Sequence, residues 1–113
     1  MQLLVMENHE GEGIFPLFTK GTAVNNVQPC EVSTHWFSCV INGHETYIPD
    51  IYIADGVLVC DYNPTELIAE KGQTVILMDI VYEWLYVKDM KGNEGWLPAS
   101  KVILQNCRSK END

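Results

Sequence analysis

Positive charge is what this chain has least of: seven Lys and Arg stand against sixteen Asp and Glu, a net charge of −9 over 113 residues. Such a surface repels phosphate backbones, and no Lys/Arg cluster offsets it, so no nucleic-acid partner is expected. Long apolar runs are missing too. Val57-Leu58-Val59-Cys60 and Val75-Ile76-Leu77-Met78 fall far short of the roughly 20 residues of a spanning helix, so no membrane role is expected. The opening Met1-Gln2-Leu3-Leu4-Val5-Met6-Glu7 has no basic segment and too little apolar length for a secretory signal, which points to a cytoplasmic protein. G-x-S-x-G, P-loop and Rossmann glycine patterns are absent, so no catalysis and no cofactor are expected.

Cysteine is present but not in a metal-binding pattern. Cys30, Cys39, Cys60 and Cys107 form no C-x-x-C pair, and their spacings fit no zinc ribbon or finger. Without an export signal they read as reduced thiols, although the even count leaves a disulfide open. His35 and Cys39 share one face of a strand but lie about 13 Å apart along it, too far for one zinc ion. No metal site is expected.

What the chain does have is β-pattern and turn chemistry. Hydrophobic residues make up 46% of the sequence, enough for a packed core. No window sustains a helical period. From Glu83 to Val102, Trp84, Tyr86 and Lys88 alternate with Leu85, Val87 and Asp89, then Lys91-Gly92-Asn93 offers a turn and Pro98 ends a second strand. An earlier stretch repeats the plan. His35 to Ile41 reads as a strand, Asn42-Gly43 as a hairpin turn, and Glu45 to Ile48 as the returning strand before Pro49. Asp50-Ile51-Tyr52-Ile53 reads as a helical turn running into a short strand. The offsets are 48 residues for Trp36 and Trp84, 49 for Pro49 and Pro98, and 51 for Gly21 and Gly72, which predicts a doubled unit. The expected division is 1–54, 55–104 and a polar tail at 105–113.

Each half resembles a Src-homology-3 domain, the second more closely. Leu58-Val59-Cys60-Asp61-Tyr62 stands where the family has its Ala-Leu-Tyr-Asp-Tyr strand, and Glu66-Leu67 with Lys71-Gly72 matches its next signal. Trp84 matches the family tryptophan, and Gly95-Trp96-Leu97-Pro98-Ala99-Ser100-Lys101-Val102 matches its ending. In the first half the match lies in Trp36 and Thr46-Tyr47-Ile48-Pro49-Asp50-Ile51-Tyr52-Ile53. The glycine-bearing segment before it is similar to bacterial versions of the fold, which often occur as tandem pairs.

The resemblance implies an all-β chain of two tandem Src-homology-3-like small barrels, about five strands each. It also implies aromatic grooves for proline-rich, left-handed extended peptides. Tyr62, Trp84 and Pro98 are the second groove's residues, with Cys60 and Lys101 replacing two aromatics. Trp36, Pro49 and Tyr52 are the first groove's, with Val5 and Glu7 at its opening positions. Glu10 and Glu12, beside Glu7, fall where the family's acidic loop pairs with a basic ligand residue. The expected function is a non-catalytic protein-interaction module that presents partial grooves to an extended, proline-rich or basic peptide or a partner protein. A peptidoglycan-binding module and an assembly subunit with self-occupied grooves stay open as alternatives. Charge supports a basic partner independently, because residues 1–55 carry Glu7, Glu10, Glu12, Glu31, Glu45, Asp50 and Asp55 against Lys20 alone.

Overall fold

The computed structural model of the protein describes residues 1–11 and 13–105. The expected tail therefore falls outside the described residues beyond Gln105, and so do Glu12 and Cys107. Ten strands follow one another: β1 (Gln2–Val5), β2 (Asn25–Pro29), β3 (Trp36–Ile41), β4 (His44–Pro49), β5 (Ile53–Ala54), β6 (Val57–Leu58), β7 (Thr74–Val81), β8 (Trp84–Asp89), β9 (Glu94–Pro98) and β10 (Val102–Leu104). Single 3-10 turns, Asp50–Tyr52 and Ala99–Lys101, follow β4 and β9. Among the described residues there is no α-helix, and no helix is long and apolar enough to cross a membrane.

The chain forms two compact units. One joins Met1–Gly13 to the segment from Thr65 onward, and the other is Ile14–Pro64. The expected division at 54/55 differs from this because the leading strand of each half pairs with strands of the other half. β1 lies between β10 and β7, with Leu3 opposite both Leu104 and Val75. β6 pairs with β5, and the Leu58 amide donates to the Thr22 carbonyl at 2.9 Å. Further along, Tyr62 exchanges two backbone bonds with Phe18.

The first unit holds a five-stranded antiparallel sheet in the order β10-β1-β7-β8-β9. Along β8 the aliphatic face is the buried one. Leu85 and Val87 join Leu3, Val5, Leu67, Ala69, Val75 and Leu97 in the core, while Trp84, Tyr86 and Lys88 stay half-buried. Asp89 shapes the β8–β9 loop, its carboxylate accepting from the amides of Lys91 and Asn93, both at 2.9 Å. Gly92 takes φ +90° there, a conformation that glycine adopts without a Cβ penalty. In β7 the pairing slips between Leu77 and Asp79, which leaves Met78 as an extra residue in a β-bulge.

The second unit holds a three-stranded sheet, β2-β3-β4, and the two-stranded β5-β6. Asn42 and Gly43 both have positive φ, the requirement of the two-residue turn that an Asn-Gly pair favours. Ile41, Ile48 and Leu58 are fully buried. The outer strand β2 is exposed along its length and irregular between Asn25 and Gln28. With Pro29 at its end, it is a poor template for another strand.

The all-β composition is as expected, but the two barrels are not. Closing a sheet requires its end strands to pair, and all three sheets are open, with five, three and two strands. The outer edge of β9 is instead met by residues 65–67: the Trp96 amide donates to the Thr65 carbonyl and the Leu67 amide to the Trp96 carbonyl, each at 3.0 Å. A pair of tandem Src-homology-3 barrels is thereby corrected to three open sheets in two units.

Candidate functional site

Each unit contains a tryptophan directly opposite a proline. Trp84 faces Pro98 across β8–β9, and Trp36 faces Pro49 across β3–β4. In both, a 3-10 turn begins immediately after the proline, because proline's fixed φ and missing amide end the ladder there. The surroundings of the two pairs are different.

Around Trp84 the side chains are polar and charged. The His9 ring meets the indole edge-on, with centroids 6.1 Å apart. His9 Nε2 lies 2.7 Å from Glu66 Oε1, and Lys101 Nζ lies 3.1 Å from His9 Nδ1. A lysine ammonium can only donate, so it fixes the roles of the ring: Nδ1 accepts from Lys101, and Nε2 carries the proton and donates to Glu66. Lys101 Nζ also donates to the Asn8 carbonyl at 3.1 Å. His9 and Glu66 are largely withdrawn from solvent, at 11% and 24% side-chain exposure.

Backbone pairing places these groups. His9 and Ala69 exchange two backbone hydrogen bonds, and Asn8 Oδ1 accepts from the Lys71 amide at 2.7 Å. Gly11 has φ +73°, and a Cβ there would come within 3.0 Å of the Glu66 carbonyl oxygen. The segment expected to be a ligand-facing acidic loop is therefore held down against residues 66–71. Its acids Glu7 and Glu10 remain exposed.

Trp36 is 9% exposed and Pro49 is fully buried, so both serve the core of the second unit. Tyr52 stands edge-on to Tyr62 at 5.4 Å. Tyr62 is buried and donates its hydroxyl to the Tyr47 carbonyl at 2.6 Å. Tyr62 thus belongs with Tyr52 in the second unit, while Trp84 and Pro98 belong to the first. The structure brings together Trp84 with Pro98, and Trp36 with Pro49. The two barrels that framed the expected grooves are gone, and the peptidoglycan and assembly alternatives lose the same frame.

His9, by sequence an ordinary surface histidine, is instead largely withdrawn from solvent and bonded on both ring nitrogens. Its partners Glu66 and Lys101 lie 57 and 92 positions away, so no local spacing signals the contact.

Cysteine chemistry is quiet. Cys30, Cys39 and Cys60 are thiols, and burial pushes Cys39 up to about 11, so at neutral pH it is protonated and a poor nucleophile. Among the described residues no group of three or more His, Cys, Asp or Glu could hold a metal ion. No family model matches the chain, and no curated protein or solved structure matches it significantly.

Proposed function

We propose that the protein is a non-catalytic binding protein for a basic polypeptide, which it engages through surface carboxylates. The observation that carries this reading is the charge of the second unit. Between Ile14 and Pro64 it bears Glu31, Glu45, Asp50, Asp55 and Asp61 against Lys20 alone. All of these acids except Asp50 are exposed. Exposed like charges attract an oppositely charged partner within about a Debye length and speed its encounter. Lys20 offsets one of these five charges, and its backbone amide donates to Asp61 Oδ1 at 2.8 Å.

The test is an amide-shift titration of the isotope-labelled chain with a lysine-rich peptide and with a glutamate-rich peptide of the same length. In physiological salt the lysine-rich peptide should bind saturably and the other should not. Affinity should fall as salt is raised. Replacing Glu31 and Glu45 by lysine should weaken binding roughly tenfold. Equal shifts from the two peptides, or none that saturate with the lysine-rich one, would sink the reading.

A further inference from the structure

We infer that His9 is the pivot of a pH-operated contact beside Trp84: protonation of its ring releases the Lys101 ammonium and leaves Glu66 as the ring's partner. This is independent of the basic-partner reading above, because it concerns contacts within the first unit alone.

Which ring nitrogen meets which charge decides the response. A neutral imidazole has one N–H and one acceptor nitrogen, whereas an imidazolium has two N–H groups and no acceptor. His9 Nε2 lies 2.7 Å from Glu66 Oε1, and both forms of the ring can donate there. His9 Nδ1 lies 3.1 Å from Lys101 Nζ, where the ring has to accept. A proton added at Nδ1 would aim an N–H at an ammonium, which removes that hydrogen bond and sets two positive charges against each other. The two contacts therefore respond in opposite ways. The one to Glu66 gains a charge on its donor and strengthens, while the one to Lys101 is lost.

The surroundings confine the change to side chains. The His9 backbone stays paired with Ala69, and the Lys101 carbonyl still accepts from the Met6 amide at 2.7 Å. The Lys101 ammonium retains the Asn8 carbonyl at 3.1 Å, now beside a new positive charge. Its flexible four-carbon stem is the part free to move. The segment facing His9 contributes Glu66, with Glu70 and Lys71 exposed further along it. The 3-10 turn contributes Lys101, and β8 contributes the uncharged, half-buried Trp84. Glu7 and Glu10, next to His9 in the chain, are exposed. Glu66, His9 and Lys101 together thus pass from balanced charge to one net positive charge at the edge of an indole. Histidine is the side chain suited to such a change near neutral pH.

Nitrogen-15 spectra of the imidazole rings provide the test, with His9 assigned by comparison with His9→Gln. The neutral ring should be the Nε2–H tautomer. As the solution is acidified, the Lys101 Cε–H groups should gain mobility in step with ring protonation. The Trp84 indole N–H, assigned through Trp84→Phe, should shift with the same midpoint. Lys101→Met, which removes the opposing charge and keeps the stem, should raise the proton affinity of His9 about threefold to tenfold. A neutral ring protonated at Nδ1 overturns the inference. So does Lys101 mobility that stays constant while His9 takes up its proton, or a His9 proton affinity that Lys101→Met leaves unchanged or lowers. The tautomer and the Lys101 mobility are both read on the parent chain, so the outcome does not depend on how well any variant folds.

Discussion

The β3–β4 and β8–β9 hairpins invite comparison because they share a plan and differ in use. Both set tryptophan against proline, enter a 3-10 turn and continue into a short strand. In the second unit that plan is internal: Trp36 and Pro49 are buried, and Tyr52 packs on Tyr62. In the first unit Lys101 stands at the position of Tyr52, and Trp84 borders a polar chain of Lys101, His9 and Glu66. The same backbone device therefore makes a hydrophobic corner in one place and a charged one in the other. What differs is which segment is laid against it.

That comparison can be broken by exchanging what each unit depends on. The largest effect is expected at the leading strands. Val5→Asp would put a carboxylate into the first unit's core, at a cost of about 3–5 kcal/mol. Amide hydrogen exchange should then accelerate in β7 and β10, its partners in the sheet, with β3–β4 protection retained. Leu58→Asp should produce the reverse pattern, in residues 18–24 and β5. If Val5→Asp instead stripped protection from β3–β4, the assignment of β1 to the first unit would be wrong.

A smaller effect is expected at Gly95, which corresponds to Thr46 in the other hairpin. A Cβ on Gly95 would lie 2.6 Å from the Leu67 amide nitrogen, so the backbone of residues 65–67 must withdraw. Gly95→Ala should cost about 1–3 kcal/mol and lower the protection of the Leu67 and Trp96 amides. Thr46→Ala, on the counterpart strand, should change stability by less than about 1 kcal/mol. Equal effects would mean that the close approach does not distinguish the hairpins.

The smallest effect concerns acid. Asp89 is only slightly desolvated, which would raise its pKa. Hydrogen bonds from the Asn93 backbone and side chain and the Lys91 amide, with the Lys91 charge, outweigh this and lower it below the ordinary 3.8. A depressed folded value means that the stabilisation is present above the unfolded pKa and is lost as pH falls through the folded one. The β8–β9 loop should thus loosen below about pH 4, seen as shifts of the Gly92 and Asn93 amides. Asp89→Asn should remove that step and cost roughly 0.5–1 kcal/mol, since the carboxylate is only partly buried and screened by solvent. The Asn42-Gly43 turn contains no carboxylate and should show no such step.

Local structure was legible in the sequence, and distant pairing was not. The Asn42-Gly43 turn, the helical turn at Asp50–Tyr52 and the strand pair around Lys91-Gly92-Asn93 follow from residues a few positions apart. Nothing in Leu3-Leu4-Val5 or Val57-Leu58 says which sheet each will enter. Both are short apolar runs, and either satisfies a strand that needs a neighbour. The barrels were inferred from signals in chain order, but the strands do not pair in that order. The same gap hid the site. Trp84 with Pro98 can be read from spacing, whereas His9 reaches Glu66 and Lys101 only after β1 has taken its place.

The position of β1 also has a consequence on the ribosome. Leu3 and Val5 are made well before their partners, which lie in strands that start at Thr74 and Val102. At ~5–20 residues per second this is a wait on the order of several seconds. Meanwhile β2 to β6 find their neighbours within a few dozen residues of one another. The partners of β2 to β6 are thus synthesised well before those of β1. Until β7 and β10 are made, Leu3 and Val5 have no strand partners to be buried against.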